Sequence, residues 1–242
     1  MRSPAALEPL HALLSLFYPA TCVACSASVE RSQYLCPECR DRAPRIVAPF
    51  CAKCSEPFPG AITQTFRCAN CEHRVLHFDC AVAAYRSRGV VRRLVHQFKY
   101  SGQRYLRFPI GEWLSQTMRD SRLEGRHLDV IIPVPLHPAR KRERGFNQAA
   151  LLAERLGDST GLRLYPALER IRYTTTQTLH DRAERMENLR GAFRLRKNRD
   201  VRDLRVLLID DVLTTGSTLS ECARVLKAAG AVSVHAATAA RA

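Results

Sequence analysis

Val206-Leu207-Leu208-Ile209 is an unbroken apolar run that leads into an acidic pair, Asp210-Asp211, and then a hydroxyl-rich turn, Thr214-Thr215-Gly216-Ser217-Thr218. A run without polar alternation suits a central parallel strand buried on both faces, so this half of the chain reads as α/β. Asp210 and Asp211 fall at the carboxyl end of that strand, the edge where open α/β sheets bind ligands. The turn opens a helix whose first N–H groups have no internal partners. Those groups, the positive end of the helix dipole and the hydroxyls of Thr214, Thr215, Ser217 and Thr218 suit one phosphate, while Gly216 allows close backbone approach. Two adjacent carboxylates accept from both hydroxyls of a sugar diol and favour a hard cation such as Mg²⁺. The segment reads as a phosphoribose cradle. The alternative, a ligand-free turn with N-cap hydroxyls, leaves the paired acids unexplained.

Leu219, Cys222, Ala223 and Leu226 recur at helical spacing after the turn, Gly230 supplies a stop, and a strand is expected over Ala231 to Thr238. From Val206 to Thr218 the chain resembles the 5-phosphoribosyl-1-pyrophosphate (PRPP) motif of type I phosphoribosyltransferases. The resemblance implies a doubly wound parallel sheet that takes PRPP with Mg²⁺.

Eight of the ten cysteines stand between Cys22 and Cys71 as four Cys-x-x-Cys pairs. Each pair can grip one face of a tetrahedral Zn²⁺, so two pairs close a structural site. Consecutive pairing gives Cys22, Cys25, Cys36 and Cys39, then Cys51, Cys54, Cys68 and Cys71; interleaved pairing satisfies the same chemistry. Disulfides would need an oxidising compartment. The stripe Leu7, Leu10, Leu13, Leu14 and Phe17 is broken by Glu8 and His11, so it lacks the apolar core of a signal peptide, and no transmembrane run is seen. A cytoplasmic location is therefore expected. His73 and His77 read as exposed, and Cys80 and Cys222 as small core residues.

The formal net charge is +15, from 38 basic and 23 acidic residues, and suggests a polyanionic partner. Arg86, Arg88, Arg92, Arg93, Lys99, Arg104 and Arg107 run through a stretch that also carries Phe98, Tyr100 and Tyr105. Cations interleaved with rings suit single-stranded nucleic acid. The competing reading is a solvated helix face, because Val90, Val91, Leu94, Val95 and Phe98 form an apolar stripe.

The order along the chain is a helix from about Glu8 to Phe17 within residues 1–20, a cysteine-rich module over 21–80, and a larger domain over 81–242. Helices are expected around Val90–Lys99 and Leu106–Met118, and a strand over Asp129–Val134. Pro133, Pro135 and Pro138 are expected to hold the next segment as a loop, with Arg140 and Lys141 placed to hold pyrophosphate. Asn147 is a candidate N-cap for a helix through Leu156. The polar segment Arg172–Arg190, with Thr174, Thr175, Thr176, Gln177, Arg182, Arg185 and Asn188, reads either as a lid that shields an oxocarbenium-like state from water or as a surface helix.

The cysteine pairs, Pro133-Val134-Pro135-Leu136-His137, Arg142 to Gln148, the Gln177, Arg185 and Asn188 segment and the Asp210–Gly216 motif together resemble the ComF family across nearly the whole chain. In place of the apolar residue the family often shows three positions after the glutamine, His180 stands here, with Leu179 just before it. The resemblance implies a competence protein of natural transformation that handles incoming single-stranded DNA, works with competence machinery proteins and binds PRPP-Mg. An active phosphoribosyltransferase, with Asp210 and Asp211 on the ribose and Arg185 neutralising the leaving pyrophosphate, and a PRPP-sensing regulator are the other two readings.

Overall fold

The computed structural model describes residues 19–61, 65–173 and 189–242. The helix expected over Glu8–Phe17 and the lid residues from Thr174 to Asn188, Gln177 and Arg185 among them, lie outside the described residues.

Five parallel strands form the main sheet: β1 (Ala81–Arg86), β2 (Val130–Pro133), β3 (Arg163–Leu164), β6 (Arg205–Leu213) and β7 (Ser233–Arg241), in the order β1-β7-β6-β2-β3. A separate antiparallel pair joins β4 (Leu168–Arg170) to β5 (Phe193–Leu195). The run Val206–Ile209 is fully buried in the middle strand. Its alternate residues face opposite layers, which is why it carries no polar position. Leu207 and Ile209 join Leu94, Phe98, Ile110, Leu114, Leu152 and Leu156 on one face. Val206 and Leu208 join Leu219, Cys222, Ala223 and Leu226 on the other. Burying each of the Val, Leu, Ile and Phe side chains among them contributes about 1.5–3 kcal/mol, so the sheet is stabilised from both sides.

On the first face lie α3 (Gly89–Tyr100), α4 (Arg107–Ser115) and α6 (Gln148–Thr160); α7 (Ser217–Ala228) covers the second. The helix expected through Met118 ends its α-helical part at Ser115 and continues as a 3₁₀ turn over Gln116–Arg119. Ala81–Arg86 is alanine-rich and weak in β propensity, and its pairing with β7 makes it a strand. The expected loop after β2 is corrected: Pro138–Arg144 is a helix, α5, with Pro138 at its first position, where its missing N–H costs nothing. Only Val134 to His137 remain as loop, and His137 Nδ1 accepts from the Ala139 N–H at 3.3 Å to cap the helix.

The cysteine module consists of two copies of one design. Each begins with a Cys-x-x-Cys knuckle closed by a positive-φ serine, Ser26 (φ 64) and Ser55 (φ 58), whose N–H groups return to Cys22 O and Cys51 O. Each ends on a short helix capped by a cysteine: α1 (Pro37–Asp41) after Cys36, and α2 (Ala69–Glu72) after Cys68. Among the described residues, no helix is long and apolar enough to cross a membrane.

Candidate functional site

The sheet order places the site. Strand β2 leads through α6 to β3 on one side, while β6 leads through α7 to β7 on the other, so the chain reverses direction between β2 and β6. Ligands of open α/β sheets bind at this reversal, outside the carboxyl ends of the strands. Pairing of β6 with β2 stops at Ile209, opposite Pro133, whereas β6 stays paired with β7 through Leu213. Asp210 and Asp211 are thus the first residues of β6 to emerge beside the open crevice.

Asp211 is buried, and its Oδ1 lies 2.9 Å from Lys99 Nζ. The Asp211 N–H donates to Asp210 Oδ1 at 2.9 Å. Burial, reinforced by the Asp211 charge, pushes the Asp210 carboxyl up to about 7, against the pull of Lys99 and Arg170. Burial works against the Lys99 ammonium too, but the charge and hydrogen bond of Asp211 outweigh it and hold the proton on. Lys99 and Phe98 therefore leave the expected nucleic-acid stretch: Phe98 is in the core, and Lys99 is turned into the site. Arg170, on β4, acts electrostatically on Asp210 and was not singled out by sequence reasoning.

The Arg142–Gln148 block sets the position of Lys99. Its neighbour Phe98 packs on Phe146 at 5.4 Å between ring centroids, and its other neighbour Tyr100 lies 5.0 Å beneath the Arg144 guanidinium. Gly145 takes φ +76 to end α5. Asn147 accepts from the Ala149 N–H at 3.1 Å, capping α6 as expected, and donates to Val134 O at 3.0 Å, tying the loop after β2 to the helix. The block clasps the end of α3 against the crevice.

The turn after β6 bends at Gly216 (φ +79), where Phe78 lies 3.4 Å from the position a Cβ would take. Thr215 Oγ1 and Ser217 Oγ are 2.9 Å apart, and the Ser217 N–H donates to Thr215 Oγ1 at 3.4 Å. Thr214 is exposed, and Thr218 stands in the first turn of α7. A cleft of about 320 Å³ opens at Lys99, the partner of Asp211, and is lined further by Tyr100, Gly102, Arg140, Glu143, Arg144 and Tyr173. Arg140 sits 5.7 Å from the Tyr173 ring centroid; Lys141 is exposed on α5 and does not line the cleft.

The cysteines gather in consecutive pairs. In each set, Cys22, Cys25, Cys36 and Cys39 or Cys51, Cys54, Cys68 and Cys71, the four Sγ atoms lie within 4.8 Å of one another. Backbone N–H groups of Cys39 and Cys68 point at Cys36 Sγ and Cys51 Sγ, as donors to thiolates do. Hydrogen bonding from Cys54 holds the Cys51 thiol far below its ordinary range, while the same contact pushes Cys54 up to about 12. Four thiols this close cannot all ionise without a cation among them, and a soft tetrahedral donor set fits Zn²⁺. Cys222 is buried in the core as expected, and Cys80 Sγ lies 3.3 Å from His235 Nδ1.

Sequence comparison agrees with this arrangement. A model of the double zinc ribbon domain matches residues 13–75, and one of the phosphoribosyl transferase domain matches residues 108–242. The fold and site define a phosphoribosyltransferase-type domain preceded by a double zinc ribbon. Competence protein F of Haemophilus influenzae is 29% identical over 221 residues, 88% of this chain and 93% of that protein. DNA utilization protein YhgH of Salmonella typhimurium is 31% identical over 224 residues, 91% and 96% of the two chains. Competence protein ComFC of Bacillus subtilis is 28% identical over 198 residues, 79% and 77%. This chain belongs to the ComF family that these proteins represent.

Proposed function

We propose that this chain is a cytoplasmic DNA-handling protein of natural transformation that binds PRPP with Mg²⁺ in the crevice between β2 and β6 and takes single-stranded DNA on its cationic surface. The observation that carries the PRPP reading is the Asp210–Asp211 pair emerging at the chain reversal, directly followed by the turn into α7. Asp210 and Asp211 accept from the ribose hydroxyls. Thr214 to Thr218 receive the 5-phosphate on hydroxyls and the N–H groups of the first turn of α7. Arg140, which lines the cleft, receives the pyrophosphate, while Lys141 on the outer side of α5 adds only its charge; the hard oxygens of the acid pair suit Mg²⁺, which when bound would neutralise pyrophosphate charge. The DNA reading is supported by exposed Arg92 and Arg93 on α3 and by Tyr105, which is 45% exposed and available for stacking.

Calorimetric titration of zinc-replete protein with PRPP and Mg²⁺, beside Asp210→Asn and Asp211→Asn, tests the site. Wild type binds and both variants lose at least about tenfold in affinity, the scale of a charge-assisted hydrogen bond. No heat from wild type rejects the reading.

The cleft at Lys99 favours a second reading, an active phosphoribosyltransferase, because its tyrosine walls have room for an acceptor. Catalysis there is positional and electrostatic, with the Arg185 charge offsetting that of the leaving pyrophosphate. Absence of pyrophosphate release across a screen of bases and amines eliminates it while leaving PRPP binding intact.

A further inference from the structure

The two ribbons dock differently. The first stacks Tyr34 on Phe108 of α4, with ring centroids 5.3 Å apart. The second reaches the phosphate turn. Arg74, three residues past Cys71, donates from Nη1 to Thr215 O at 3.1 Å and from Nη2 to Ser217 Oγ at 2.9 Å. Asn70, between Cys68 and Cys71 on α2, approaches Thr215 O at 3.4 Å and accepts from Arg74 Nη1 at 2.5 Å. The His77 N–H donates to Ser220 Oγ at 3.1 Å, and Phe78 fills the space above Gly216. The segment 70–78 thus meets Thr215, Gly216 and Ser217 at the turn and Ser220 in the first turn of α7.

Two physical consequences follow. A serine hydroxyl that accepts from a guanidinium must send its single proton elsewhere, so Arg74 turns the Ser217 O–H toward Thr215 Oγ1 or toward an anion in the turn. And α2 has four residues with no side-chain bond at its cap, far too few to form a helix unaided. Its shape depends on Cys68 and Cys71 being gathered with Cys51 and Cys54.

We propose that the second cysteine cluster and the phosphate turn are one coupled unit, with Arg74 as the positioning residue between them. Metal at Cys51, Cys54, Cys68 and Cys71 holds α2, α2 and Arg74 hold the turn in its anion-binding form, and a sugar phosphate in the turn slows loss of that metal. Reciprocity is required by linkage. The first cluster, for which no bond to the turn is seen among the described residues, is excluded from the coupling. This proposal rests on the phosphoribose reading of the turn.

The test uses the full, zinc-replete chain with ribose 5-phosphate as probe. Binding is measured by calorimetry, and the alkylation rate of each cysteine by peptide mass spectrometry. With probe at ten times its Kd, alkylation of Cys51, Cys54, Cys68 and Cys71 slows about tenfold while the first cluster is unchanged, as expected if the opened second ribbon no longer binds the probe. Arg74→Met abolishes that protection and weakens probe binding about tenfold with two zinc ions retained, and Arg74→Lys restores part of both. If wild type binds the probe but protects neither cluster, or both equally, the coupling is wrong and the site reading stands. Binding by Arg74→Met at wild-type strength likewise overturns it. If wild type binds neither ribose 5-phosphate nor PRPP, the site reading itself has failed and the coupling falls with it. Should Arg74→Met lose zinc or fold poorly, the selective protection in wild type still decides the matter.

Discussion

Asp210 and Lys99 illustrate how one residue's environment sets its chemistry. The Asp210 carboxyl faces Asp211, Lys99 and Arg170, and its burial outweighs the two cations. In the unfolded chain it titrates near its ordinary value of about 4. Between about pH 4 and 7 the unfolded form is ionised while the folded one is still protonated, so the fold loses stability across that window and the loss is constant above it. Asp210→Asn removes the term. Its melting temperature relative to wild type therefore rises as pH goes from 5 to 8, measured without added Mg²⁺; a gain that is flat or falling with pH contradicts this. Lys99→Met strands Asp211 as a buried charge and destabilises by about 3 kcal/mol, and pairing it with Asp211→Asn recovers most of the loss in a denaturant double-mutant cycle. Lys99 was visible in the sequence as a cation, but its role was not, because a period-3.6 stripe says which residues face inward and not what they meet there.

At the scale of elements, the turn chemistry was readable and its geometry only partly so. Asn147 as an N-cap follows from its place before an apolar helix, and the structure adds a second duty, the bond to Val134 O. Asn147→Ala is expected to cost about 1–2 kcal/mol in urea unfolding, more than a cap alone, because the loop after β2 loses its tether as well. Asn147→Asp keeps the cap and loses the tether, separating the two contributions. Pro138 was expected to keep its segment out of a helix and instead starts one, since proline is excluded from helix interiors but suits the first position. Three prolines in six residues signal a break in regular structure without saying on which side of it a helix resumes. β1 was legible only as a change of composition, because its strand conformation comes from β7 rather than from its own alanines.

For the whole molecule, cationic residues on α3 and α5 lie around a cleft edged by Tyr100 and Tyr173. Binding of a single-stranded oligonucleotide is expected to weaken steeply with salt, log K falling linearly with log [salt]. Replacing exposed Arg92 and Arg93 together by Gln reduces that slope by about 1.4, at about 0.7 per phosphate contact on single strands, and leaves PRPP affinity unchanged. A titration series from low to moderate salt on wild type and the double variant reads both; an unchanged slope moves the DNA surface elsewhere.

The patterns confined to neighbouring residues were determined by the sequence alone: a buried strand, two acids and a hydroxyl-rich turn into a helix in thirteen residues, and eight thiols in claws of two. Such patterns depend on local dihedral preference and burial period, which adjacent residues impose on each other. Tertiary structure decided everything that joins distant segments. It matched the claws consecutively, brought Lys99 to Asp211 across more than a hundred positions, and set Arg74 of the second ribbon on Thr215 and Ser217. Those partnerships follow from strand order and from the docking of the ribbon on α7, where many weak contacts choose among alternatives that no short stretch of chain can rank.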